Sequence, residues 1–173
     1  MLKKVILLLL LTAFLTGCGS KETFEVVEDI IPVEPVAAPQ QLYFHLPEEA
    51  AAPTFQDDTD EIYVCNGYTV SKQIMDSGDL EKTVKTISGK SQQEVQLIKT
   101  IQPTCDRYDF VWTAAGEDGL QLGRACILDD GNYHYTVTVM AQEESAGALR
   151  ETVQEMFDSC GLLDPEVNLR TGS

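Results

Sequence analysis

Hydrophobic positions along this chain change period several times, and each change marks an element. Val5 to Leu15 is a solid apolar block, broken only by Thr12 and preceded by Lys3 and Lys4. At about 1.5 Å per residue, a helix of that length falls short of a hydrocarbon core of about 30 Å. The block therefore predicts a secretory leader and not a membrane span. Period two begins later. Ile62-Tyr63-Val64-Cys65 and Tyr68-Thr69-Val70-Ser71 flank Asn66-Gly67, a strong hairpin signal that predicts a type I′ turn with positive φ at both centres. Tyr108, Phe110, Trp112 and Ala114 alternate with Asp109, Val111 and Thr113. Leu120, Leu122, Cys126 and Leu128 mark the next strand, with Arg124 out of pattern among them. Tyr133, Tyr135, Val137 and Val139 then alternate with His134, Thr136, Thr138 and Met140. The turn-formers Gly116-Glu117-Asp118-Gly119 and Asp129-Asp130-Gly131-Asn132 separate these runs. A meander of three long antiparallel strands with an apolar face follows.

Two stretches carry helical spacing. From Asp79 to Ser88, Leu80, Val84 and Ile87 fall at i, i+4 and i+7, and Gly89 is a natural stop. From Ser145 to Cys160, the residues Ala146, Leu149, Val153, Met156, Phe157 and Cys160 make one apolar stripe. Glu144, Arg150, Glu151, Glu155 and Asp158 lie opposite it. Such a stripe must be covered, and the meander's apolar face is the expected partner. Val95 to Ile101 reads either as a strand or as a helix begun by Ser91-Gln92-Gln93-Glu94.

Charge then narrows the functional classes. The 173 residues carry 28 acidic against 12 basic side chains, a formal charge of −16. That balance opposes nucleic-acid binding, which depends on Lys and Arg neutralising phosphates. Apolar residues at 43 % exceed what a disordered chain holds.

Leu15-Thr16-Gly17-Cys18, behind the basic start and the apolar block, resembles the lipobox of bacterial lipoproteins. The resemblance implies cleavage before Cys18 and a diacylglycerol on its sulfur, with residues 1–17 removed as signal peptide. Loss of Lys3 and Lys4 takes the charge from −16 to −18, so an anionic bilayer repels the remaining protein and the attachment must be lipidic. Two acyl chains suffice for lasting anchorage. Residues 18–41 form an acidic, proline-containing segment with Pro32, Pro35 and Pro39. This reads as a tether, although Phe24 to Ile31 also suits a short strand. Extended, it reaches about 75 Å at roughly 3.3 Å per residue. Residues 42–163 are the expected globular domain and 164–173 a frayed tail.

The fold class expected is α+β: an antiparallel meander covered by a C-terminal helix and a second short helix. Tyr108 to Trp112, the run Ile127 to Tyr135 and the helix closing on Ser159-Cys160-Gly161-Leu162 resemble the PsbP-like sandwich. That family includes extrinsic, non-hydrolytic subunits and small secreted bacterial lipoproteins. The resemblance implies an accessory role, and it carries no catalytic residue across.

The remaining chemistry is sparse. With Cys18 lipidated, Cys65, Cys105, Cys126 and Cys160 are left, an even number that admits disulfides outside the cytoplasm in any of three pairings. Cys126 and Cys160 each lie on an apolar face, which favours Cys126–Cys160 and leaves Cys65–Cys105; the alternative reading of Cys126 and Cys160 is as small hydrophobic core residues. No C-x-x-C pair, G-x-S-x-G, S-x-x-K or H-E-x-x-H is present, and neither metal nor cofactor is expected. His134 is expected on the solvent or second-layer face of its strand. Asp57-Asp58-Thr59-Asp60-Glu61 could attract a hard cation but lacks calcium-loop spacing, and reads better as a solvated loop. The strand aromatics read as core more readily than as a sugar-binding platform, with Tyr63 unsettled. The functional expectation is a membrane-anchored extracytoplasmic lipoprotein, a non-enzymatic accessory or binding module with an envelope protein or glycan as partner. The competing expectation is a small envelope hydrolase using His134 or a carboxylate pair.

Overall fold

A computed structural model describes residues 37–50, 52–116 and 119–163. The expected signal peptide, Cys18, residues 18–36 of the expected tether and the expected tail 164–173 lie outside the described residues.

The domain is α+β and built on an antiparallel sheet. Its strands are β1 (Gln41–Tyr43), β2 (Phe55–Gln56), β3 (Asp60–Cys65), β4 (Tyr68–Asp76), β5 (Ile98–Ile101), β6 (Asp106–Gly116), β7 (Gly119–Asp129), β8 (Tyr133–Gln142) and β9 (Gly161–Leu163). Three helices are described: α1 (Leu80–Ser88), α2 (Glu143–Ala146) and α3 (Arg150–Asp158). Strands β2 to β8 form a seven-stranded sheet in the order β2-β3-β4-β8-β7-β6-β5, and β1 pairs with β9 in a separate two-stranded ribbon. The meander β6-β7-β8 is its centre, and the β3–β4 hairpin extends it through β4 against β8.

Local chemistry places the helix boundaries. Asp79 Oδ1 accepts from the Glu81 and Lys82 backbone N–H groups at 3.0 and 3.3 Å, satisfying two orphan donors of α1. Gly89 ends that helix at φ +69°, a left-handed cap that costs glycine nothing sterically. The competition over residues 91–101 resolves in favour of the strand, which starts only at Ile98, and no helix forms at Ser91. Glu94 Oε2 accepts from the Ser91 backbone N–H and hydroxyl, each at 2.8 Å, which closes one turn, and β5 follows.

Four expectations change. The terminal helix is two pieces, α2 and α3, joined through a turn in which Ala148 and Leu149 both donate to the Ser145 carbonyl. Gly147 sits at this join, and glycine weakens a helix interior by about 1 kcal/mol. The Asn66-Gly67 turn is not type I′. Among the described residues every positive φ belongs to glycine, so Gly67 is positive at +84° and Asn66 is negative, the φ signs of a type II turn. Order also starts before residue 42, because the Gln40 backbone N–H donates to the Tyr135 hydroxyl at 2.8 Å.

The fourth change concerns the core. The sheet has two apolar faces. Register sets Trp112 opposite Gly123 and Phe110 opposite Ala125. These aromatics therefore pack with Ile127 and Val84 beneath α1. Cys126, Leu128, Tyr135, Val137 and Val139 occupy the other face with Met156, Phe157 and Cys160 of the C-terminal segment. Each large apolar side chain so buried contributes about 1.5–3 kcal/mol.

Candidate functional site

Helix α3 does not span its face of the sheet. Past the buried Met156 and Phe157, the N-terminal end of α3 and the α2–α3 turn stand over the sheet and leave a groove of about 960 Å³. Its floor is Val139 and Ala141 of β8, Leu122 and Arg124 of β7, and Val111 and Thr113 of β6. Leu149, Arg150 and Val153 make one wall, and Lys90 and Glu94 border it beyond β6. The volume suits a medium-sized ligand or a short segment of chain.

Arg124 explains its own exception to the strand pattern. Its guanidinium lies 4.5 Å from the centre of the Phe157 ring, and it donates to Gln154 Oε1 at 2.9 Å. The long stem covers apolar surface while the charge stays at the groove. Arg150 and Lys90 add two further cations. Glu94 is the one acid among the groove's described lining, and its carboxylate is occupied by Ser91, whose hydrogen bonds hold its pKa below the ordinary value. A carboxylate pair is therefore not assembled here.

His134 is elsewhere. It is 1 % exposed, on the α1 side of the sheet. Its Nδ1 is 2.7 Å from the Thr83 hydroxyl, and its Nε2 is 3.5 Å from Asp129 Oδ2. Hydroxyl, imidazole and carboxylate are thus in line, yet neither this groove nor the small cavity near Gly67 includes any of them. With the 5 % exposed Thr83 sealing it from α1, the trio lacks the substrate access that acid–base catalysis requires. It ties α1 to β8 and β7.

The thiols divide. Cys126 and Cys160 meet in the core, where the Cys160 thiol and burial both push the Cys126 thiol upward in pKa. A bond between them would tie β7 to the second residue past α3. Cys65 and Cys105 lie at opposite ends of the sheet. Cys65 shares a row with Tyr68, Ala141, Leu122 and Thr113, while Cys105 precedes Asp106. The offset is roughly 26 Å of strand at about 3.3 Å per residue.

The acidic loops are occupied by their own backbone. Asp57 Oδ1 accepts from the Thr59 and Asp60 N–H groups at 2.9 and 2.7 Å. Asp130 Oδ1 accepts from Asn132 and Tyr133, and its Oδ2 accepts from the Tyr135 hydroxyl at 2.9 Å. These are turn-forming bonds of the kind Asp supplies. Tyr63 is buried on the α3 side, donating to Glu61 Oε2 at 2.8 Å. Sequence reasoning missed the groove, whose one signal was Arg124 on an otherwise apolar strand face.

Fold and groove together define an α+β sandwich with one open corner. The Ran-binding protein Mog1p of Saccharomyces cerevisiae has the same fold, with a TM-score of 0.50 and 11 % identity over 72 % of this chain and 92 % of that one. Similar solved structures also include the cyanobacterial PsbP of Synechocystis sp. PCC 6803 (TM-score 0.41, 11 % identity, 75 % of this chain and 96 % of that one). A third is LpqN of Mycobacterium tuberculosis, described as involved in cell envelope biogenesis (TM-score 0.40, 10 % identity, 77 % and 88 %). No protein-family model and no curated protein matches the chain. Among the described residues, no helix is long and apolar enough to cross a membrane.

Proposed function

We propose that this chain is a lipid-anchored lipoprotein facing outside the cytoplasm, and that it works as a non-enzymatic binding module. The groove carries the reading. It is apolar along its floor and bordered by Lys90, Arg124 and Arg150 in a chain of formal charge −16. The lipobox Leu15-Thr16-Gly17-Cys18 and the acidic segment behind it support the anchor. A diacylated Cys18 with a long, self-repelling tether would hold the groove clear of the headgroups. The hydrolase reading has lost its main candidate, since His134 is packed under α1.

Fractionation tests the anchor. Expressed in a bacterium, the wild-type chain is expected in the membrane fraction and Cys18→Ala in the soluble extracytoplasmic or secreted fraction. Retention of the variant in membranes overturns the lipid anchor.

A further inference from the structure

Resting on the groove as the binding surface, we propose that its occupant is an extended segment of a partner protein. The segment alternates apolar and acidic residues and adds as a new strand along the free half of β6.

The sheet's edge supplies the first argument. Strand β6 runs from Asp106 to Gly116, but β5 pairs only with Asp106 to Asp109. Among the described residues, the outer side of β6 from Phe110 onward has no strand beside it. Two registers say which residues aim outward. Gly116 and Gly119 close the β6–β7 hairpin, so even-numbered β6 residues bond to β7. Gln102 donates to the Cys105 carbonyl across the β5–β6 turn, so Arg107 and Asp109 bond to β5. The odd-numbered series continues as Val111, Thr113 and Ala115. Among the described residues, their backbone N–H and C=O groups have no partner. All three are exposed, and Val111 stands at 61 %.

An unpaired edge is a template for an incoming backbone. An acyl chain offers that edge no hydrogen bond, which is why a peptide is favoured over a lipid. The groove passes round this same edge to Lys90 and Glu94, so the place of the new strand is open.

Charge supplies the second argument. Of the described cations, Lys72, Lys99 and Arg107 are engaged in ion pairs. Lys90, Arg124 and Arg150, three of the remaining five, border this one groove. Because side chains alternate between faces, the carboxylates of the added strand would turn to the α3 side, towards Arg124 and Arg150, and its apolar side chains to the α1 side, beside Trp112 and the stem of Lys90.

The test uses the full chain in a mild detergent and a fluorescein-labelled octapeptide of alternating valine and glutamate, read by anisotropy. Three other probes accompany it: a valine–lysine octapeptide, the valine–glutamate peptide N-methylated at alternate residues, and dodecanoate. The valine–glutamate peptide is expected to bind, more weakly as salt rises, while the valine–lysine and N-methylated peptides do not. Thr113→Pro, which removes an outward N–H at a tolerant edge position, is expected to weaken binding by about tenfold or more. Arg150→Ala is expected to flatten the salt dependence. The N-methylated peptide needs no protein variant, so it decides the matter even if Thr113→Pro fails to fold.

Equal binding of the N-methylated peptide, or no effect of a folded Thr113→Pro, overturns strand addition and leaves the groove as a side-chain site. Binding of dodecanoate without the peptide overturns the peptide and leaves the groove with a lipid. Binding of neither overturns the peptide and the groove reading together, while the fractionation result for Cys18 stands or falls separately.

Discussion

At single positions, this fold spends its polar groups locally and leaves a few without partners. Thr136 and Thr138 lie on the α1 side of β8, and among the described residues their buried hydroxyls have no hydrogen-bond partner. Beside them, Thr83 satisfies His134 at 2.7 Å. A buried hydroxyl without a partner costs about 1–3 kcal/mol, so removing it from the chain should help. Thr136→Val is expected to raise stability by about 1 kcal/mol, seen as a melting temperature a few degrees higher. A lower melting temperature would show that the Thr136 hydroxyl makes a stabilising bond. The sequence placed both threonines and His134 on one face of a strand, because side-chain direction alternates with period two. Whether that face met water or a helix depended on α1, a distant segment, and periodicity carries no information about it.

Among the elements, those with both a periodic run and a terminating residue were the legible ones. Asp79 and Gly89 bracket α1 as capping chemistry requires, and the meander strands match their alternations. Elements fixed by pairing with remote chain were not legible: β1 and β9 hold only three residues each and exist through each other. Strand β6 shows a different dependence on its partner. Its Trp112 ring lies over Gly123 on β7, and a Cβ at residue 123 would overlap the indole carbons. Gly123→Ala is expected to expel the ring and cost about 1–3 kcal/mol. Trp112 is the chain's one tryptophan, so the same variant should red-shift the intrinsic fluorescence. An unshifted spectrum with an unchanged melting temperature would show that the strands absorb the methyl group.

Across the molecule, buried phenols set an upper limit on the pH range of the fold. Burial, reinforced by the Glu61 carboxylate, pushes Tyr63 from an ordinary value near 10 up to about 12. Burial moves Tyr68 and Tyr135 in the same direction. An unfolded phenol releases its proton near pH 10 while the folded one keeps it, so the native state binds more protons across that interval. Stability from these groups is complete below pH 10 and is lost as pH rises towards about 12. Denaturant melts at stepped alkaline pH, with phenol ionisation followed in the ultraviolet, should show unfolding and ionisation advancing together. Ordinary ionisation near pH 10 in a still-folded protein would contradict it.

The periods, caps and turn residues were enough to specify an antiparallel meander, a short capped helix and an amphipathic C-terminal segment, because each depends on neighbours a few residues apart. Tertiary structure decided the rest. Register between strands sent the aromatics of β6 to one face and the cysteines of β7 and the C-terminal segment to the other. Docking of α1 sealed His134. The short pairing of β5 left β6 with a bare edge among the described residues, and the short reach of α3 opened a groove bordered by Lys90, Arg124 and Arg150. Those outcomes come from contacts between segments tens of residues apart, and no local pattern records which distant segments will meet.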